Sequence, residues 1–266
     1  MMRQRLGRTL VLVLACSALA ACTMVGMREG APADRAYEGD PSIRGVAVTG
    51  QVSFVGAIPR PDPVPVYRDS DFCGEEMPNE TLMVEEGASQ SVEGVVISLG
   101  GVSKGKPLPQ GQTRVIESRG CRFIPRVSAT VVGSLLAIQS VDPIMHNTHL
   151  RLNSRFGDTV INVIQPAGAR GIQRRLFSDG LLDVRCDIHP FMRAFIHVFE
   201  HPYFSVTDSA GRYELTQVPP GTYQLKMWHE KLGVREKTIT VPDHGPVTLD
   251  LELDLKQTAP RRFAPK

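Results

Sequence analysis

Leu182-Asp183-Val184-Arg185-Cys186-Asp187-Ile188-His189-Pro190-Phe191-Met192-Arg193-Ala194-Phe195-Ile196-His197-Val198 is two strands joined by a short loop. Leu182, Val184 and Cys186 fall on one face, with Asp183 and Arg185 on the other. After the loop, Ala194, Ile196 and Val198 share a face, and His197 points the opposite way. The same alternation recurs along most of the chain. Val46, Val48, Val52 and Phe54 alternate before the proline-rich break at 58–63, further strands read at 92–99, 127–132 and 135–139, Leu150 and Leu152 alternate, and 159–164 is a β-branched run. The last run is the cleanest, with Val247, Leu249, Leu251 and Leu253 inward and Thr248, Asp250, Glu252 and Asp254 outward. The chain is therefore expected to be all-β. With 42% hydrophobic and 22% charged residues it is neither disordered throughout nor a polytopic membrane protein, and 24 glycines with 20 prolines leave no room for a long helical bundle.

The N-terminus reads as an export signal. Arg3, Arg5 and Arg8 precede the apolar run Leu10 to Ala15, too short for a stable membrane span. Leu19-Ala20-Ala21-Cys22 resembles the bacterial lipobox, which implies removal of 1–21 and acylation of Cys22. By resemblance to Gram-negative lipoprotein sorting, Thr23 in place of an aspartate implies the outer membrane, facing the periplasm. Cleavage takes three arginines from 30 basic residues and none of the 28 acidic ones. The mature chain is thus nearly neutral, and nucleic-acid binding has no electrostatic basis. In an oxidising envelope Cys73, in Asp71-Phe72-Cys73-Gly74, and Cys121, in Gly120-Cys121-Arg122-Phe123, are paired as a disulfide of two loop cysteines. That leaves Cys186 as the free thiol.

Cys186, His189 and Met192 put a thiolate, an imidazole and a thioether on one seven-residue loop, and Pro143-Ile144-Met145-His146-Asn147-Thr148-His149 offers a second histidine upstream. Such soft and borderline donors suit copper in a His₂Cys site with a weak axial Met. The loop resembles that of the cupredoxins, amicyanin in particular, and the upstream segment resembles their His-Asn-x-His element. The resemblance covers roughly residues 119–200. It implies a Greek-key β-sandwich, His146, Cys186, His189 and Met192 as ligands to one type 1 copper, and Asn147 as the hydrogen-bonding tie between the ligand loops. It further implies that His189, beside Pro190 and Phe191, lies near an apolar surface and passes electrons. His149 is read as supporting or surface, and His197, His201 and His229 as non-ligands at the surface or the domain joint. There is no His-x-His pair, no Gly-x-Ser-x-Gly, no His-Glu-x-x-His and no phosphate-binding glycine loop, so catalysis is not expected.

Further on, Val206-Thr207-Asp208-Ser209-Ala210-Gly211-Arg212-Tyr213 and Val218-Pro219-Pro220-Gly221-Thr222-Tyr223 resemble the carboxypeptidase regulatory-like, prealbumin-like sandwich. Asp208 is suited to an Asx turn, Gly211 to positive φ, and Tyr223 to a tyrosine corner. The expected organisation is a signal (1–21), a lipidated flexible tether (22–44), a cupredoxin-like domain with an N-terminal extension (45–200), a small prealbumin-like sandwich (201–255) and a basic tail (256–266). The expected function is a monomeric, lipid-anchored blue-copper electron carrier of the bacterial envelope, bound to the membrane through its lipid and serving a redox partner protein. The alternative is a copper-binding or metal-free structural or adhesion lipoprotein without electron transfer.

Overall fold

The computed structural model describes residues 36–87 and 89–255. The expected signal, Cys22, the tether up to residue 35 and the basic tail lie outside the described residues. Among the described residues strands dominate, the one helix is the single turn Ser70–Cys73, and no helix is long and apolar enough to cross a membrane. The all-β expectation and the structure agree.

Period-2 patterning builds a first β-sandwich from residues 113–199. One sheet runs Thr159–Gln165, His146–Leu152, Gly180–Arg185, Arg193–Phe199 and Val127–Val131, antiparallel except for the last pair. The other runs Ile172–Arg175, Leu135–Ser140, Thr113–Arg119 and Arg122–Ile124. Leu150, Leu182, Val184 and Ile196 from the first sheet pack on Ile116, Phe123, Leu136 and Ile138 from the second.

The second sandwich corrects the expected boundary at 200/201. Val46–Phe54 pairs with Arg212–Val218 on one side and, in parallel, with Val247–Thr248 and Leu251–Leu253 on the other. Val96–Gly100 lies between Phe204–Val206 and Gly221–His229, with Gly233–Val241 beyond. The strands Val46–Phe54 and Val96–Gly100 therefore belong with residues 204–253, and the first sandwich is inserted between the two halves of the second. The reason is apolar burial. Val48, Val52, Ile97 and Leu99 share one core with Leu215, Leu225, Leu251 and Leu253. The tether expectation is corrected at its end too, because Glu38–Gly39 pairs with Lys104–Gly105 and the Tyr37 hydroxyl donates to the Lys106 carbonyl at 2.5 Å.

The turns of this sandwich form as their residues dictate. Asp208 Oδ1 accepts the N–H groups of Ala210 (3.0 Å) and Arg212 (2.8 Å), and Gly211 sits at φ 69° where a side chain would strike the Val52 carbonyl. The Tyr223 hydroxyl donates to the Pro219 carbonyl at 3.0 Å.

Where the sandwiches meet, Phe195, His197 and Phe199 form the face of their strand turned away from its own core. Trp228 packs edge-on to Phe195 (5.0 Å) and His197 (4.4 Å), and Phe199 stacks on Phe204 (4.8 Å). Arg126 grips Glu230 with two hydrogen bonds of 2.6 and 3.0 Å. His197, read as outward-facing, is thus buried in an internal seam. Burial pushes its pKa down to about 4, and burial followed by the Arg126 charge does the same for His229.

Both histidines stay neutral in the folded protein, whereas in the unfolded chain they take up protons near their ordinary pKa of about 6.5. Their contribution is present above that value and is lost as pH falls toward 4. Urea denaturation at pH 7 and pH 5 should show a lower midpoint at pH 5, and His197→Phe should shrink that difference. The inserted arrangement gives a second expectation. A chain ended at residue 200 exposes Val48, Val52, Ile97 and Leu99 at roughly 1.5–3 kcal/mol each, comparable with a whole domain's stability. Limited proteolysis of that truncated chain should cut throughout 46–105; protection there equal to the full chain's would show that the N-terminal strands do not depend on 201–255.

Candidate metal centre

Strand register brings the two histidine segments together. His146–Leu152 and Gly180–Arg185 are antiparallel neighbours with His149 opposite Arg185, so the start of the first strand lies beside the loop that leaves the second. That loop is closed by its own backbone: Met192 N–H donates to the His189 carbonyl at 2.9 Å, and Cys186 N–H to the Met192 carbonyl at 3.4 Å. Cys186, His146, His189 and Met192 are all at most 1% exposed.

His146 Nδ1 lies 3.2 Å from His189 Nδ1, and Cys186 Sγ lies 3.7 Å from His189 Nδ1. The three side chains group their donor atoms within 4.8 Å of one another. The far nitrogens are both engaged. His146 Nε2 is 2.9 Å from Asp142 Oδ2, and His189 Nε2 is 2.8 Å from Asp69 Oδ2. A carboxylate accepts, so each Nε2 carries the proton and each Nδ1 turns a bare lone pair toward the other. Two lone pairs at 3.2 Å repel unless a cation lies between them. Burial lowers the His146 pKa, opposed by the Asp142 carboxylate. A first-row metal can serve: bonds of about 2.0–2.1 Å to nitrogen and about 2.3 Å to sulfur can span such separations.

The sulfur is prepared in the same way. Cys186 Sγ accepts N–H groups from Asn147 (3.3 Å) and His189 (3.4 Å), and Cys186 is the free cysteine among the described residues. Burial pushes its pKa up, opposed by those N–H donors. Asn147 also ties the two segments through its side chain, whose Oδ1 accepts the Asp187 N–H at 2.9 Å. His149 bridges the Asp187 carboxylate (2.9 Å) and the Thr159 hydroxyl (2.8 Å). Met192 packs in the core cluster that contains Cys186.

Cys73 and Cys121 are joined by a disulfide. Cys121 also lies close to Asp142 and His146, but its sulfur is spent in that bond and offers no thiolate. His189, expected near an apolar surface beside Pro190 and Phe191, does not itself reach the surface. It is fully buried, with Phe191 at 5.7 Å on one side and Asp69 over Nε2. Two functional residues escaped the sequence reading. Asp142, four residues before His146, had a local signal in its spacing; Asp69, 120 residues from His189, had none.

No family model matches the chain, and none of the curated proteins does. Among solved structures, the chain is similar to the copper-containing nitrite reductase of Thermus scotoductus (18% identity, TM-score 0.30, 36% of this chain and 24% of that one). It is also similar to a reduced amicyanin variant (18%, 0.29, 34% and 85%) and to a purple cupredoxin from Nitrosopumilus maritimus (15%, 0.27, 32% and 97%). The chain thus spans about a quarter of the reductase's length. All three likenesses are confined to about a third of this chain, and what the site can hold is decided by its own donors.

Proposed function

We propose that this protein binds one copper ion at His146, Cys186 and His189, with Met192 as a weak axial donor, and acts as a one-electron carrier. The opposed Nδ1 lone pairs beside a buried thiol carry this reading. Copper at such a site supplies one-electron redox chemistry through a covalent bond to sulfur, and this donor set is the one it favours. The protein's own part is to keep the donors still. Asp142 and Asp69 fix the two rings, the Asn147 and His189 N–H groups stabilise charge on sulfur, and the packed loop keeps water out. Nothing in the donor set resembles a second, catalytic centre, and we assign no enzymatic activity.

The protein is proposed to work in the bacterial envelope as a monomer, held to the membrane by acyl chains on Cys22 and exchanging electrons with a protein partner; outer-membrane placement follows from Thr23. Its near-neutral mature charge supports no nucleic-acid partner. One observation favours a second reading, copper binding without electron transfer: the ring edge of His189 is covered by Asp69 rather than open to a partner.

Titration of the metal-free protein with Cu(II) should develop an intense visible thiolate-to-copper band at one equivalent. Cys186→Ser should abolish it. Met192→Leu should keep the colour and raise the potential, because loss of a donor destabilises Cu(II) more than Cu(I). Tight binding of zinc with no coloured copper form would replace the redox reading with a structural metal, and a coloured site that no reductant cycles would favour the second reading. For the anchor, Cys22→Ser should move the protein from membranes to the soluble fraction, since two or three acyl chains hold where one does only marginally. Equal membrane retention would refute the lipid assignment.

A further inference from the structure

The segment 64–77 has no counterpart in the ligand motifs, yet it touches the site. Val64–Pro65 pairs with Glu76–Met77, and Val66 N–H donates to the Glu75 carbonyl at 2.9 Å, so the segment is a lobe closed at its neck. At its tip Asp69 stands at φ 55°, a left-handed conformation that a non-glycine residue adopts at a cost and that aspartate tolerates better than most. From there its carboxylate reaches His189 Nε2 at 2.8 Å. The turn Ser70–Cys73 follows, with no buried residue, and Cys73 is bonded to Cys121. The N–H groups of Gly120 and Cys121 hold Asp142 at 2.6 and 2.9 Å, and Asp142 holds His146. One disulfide therefore ties together the carboxylates that orient both histidines.

The lobe is thin. Its inward apolar contacts are Val66 and Met77 with Cys121, Ile144 and Phe191, while Tyr67 is 91% exposed. The Asp69 side chain is itself 36% exposed and His189 is 0% exposed, so the carboxylate that holds Nε2 also faces solvent. Few buried contacts and an exposed outer face mark a segment that opens locally at low free energy.

We propose that residues 64–77 form a disulfide-tethered lid over the donor cluster, and that Asp69 is its latch and the positioning residue of His189. Closed, the lid turns Nδ1 toward Cys186 and His146 and shuts the site. Opened, it admits and releases the metal. The lid deepens the copper reading, but its primary test needs no metal.

In the metal-free full chain, iodoacetamide labelling is followed at the Cys186 peptide by mass spectrometry, with urea midpoints as the control for folding. Asp69→Gly keeps the backbone conformation and removes the latch. It should speed labelling by about tenfold, the factor expected from one lost charge-assisted hydrogen bond. Asp69→Asn can still accept from Nε2 and should stay near the wild-type rate. Cys73→Ser with Cys121→Ser should speed labelling by a different route, so the lid can be judged even if one variant folds poorly. In the copper-loaded protein, Asp69→Gly should hasten transfer of copper to a chelator by a similar factor. Unchanged labelling in both the glycine and the double-serine proteins overturns the lid, as does equal acceleration by Asn and Gly. Lid behaviour without copper binding would overturn the copper reading alone; copper binding with unchanged labelling would overturn the lid alone.

Discussion

Two imidazoles that aim bare nitrogens at each other across 3.2 Å, inside a buried pocket, are the constraint on which the rest of the site depends. Left alone, either ring could turn over and relieve the repulsion. Asp142 and Asp69 prevent that, each accepting the Nε2 proton of its histidine and so dictating which nitrogen faces inward. Cys186 is held by similar means, because its sulfur accepts two backbone N–H groups from the very segments that carry the histidines. The donors are thus arranged before any metal arrives. Such preorganisation suits the proposed one-electron exchange, which is fastest when little has to move.

Convergence of the donors follows from strand pairing more than from the loop itself. Only the antiparallel register His149↔Arg185 sets residue 146 beyond the end of the neighbouring strand, level with the loop that carries Cys186 and His189. A slip by one residue would turn the alternation over and send Leu150 and Val184 to the wrong face. The apolar pattern that builds the first sandwich therefore also aims the site. This is why the all-β class and most of the strands could be read from residues alone, since each depends on alternation, whereas the grouping of distant His146 with Cys186 and His189 rested on the resemblance to the cupredoxin loops. Asp208, Gly211 and Tyr223 were legible as well, since each makes its characteristic contact within four residues.

What could not be read depends on pairings between distant segments. Val46–Phe54 looks like any half-buried strand, and nothing local says that its neighbours are 212–218, 247–248 and 251–253 rather than the strands that follow it. The short strands 113–119, 122–124 and 172–175 carry charged residues on exposed faces, which dilutes their alternation. Asp69 sits in a proline-flanked stretch with no periodicity, and its role appears only once the Cys73–Cys121 bond has carried it to the site. The Asp69 cover of His189 was missed for the same reason: the resemblance was to the loop, and the cover comes from outside it.

The region before residue 106 consequently does more than extend the first sandwich. Its strands complete the core of the second sandwich through Val48, Val52, Ile97 and Leu99, and the lobe between those strands lies over the donors of the first. The two sandwiches are joined again where Arg126 grips Glu230 and Trp228 packs on His197. The second core is thus connected to the proposed lid through the chain at both ends of the lobe, and to the strand Arg193–Phe199, which follows Met192, through the aromatic seam. The second sandwich is in this arrangement the frame from which the cover of the proposed metal site extends.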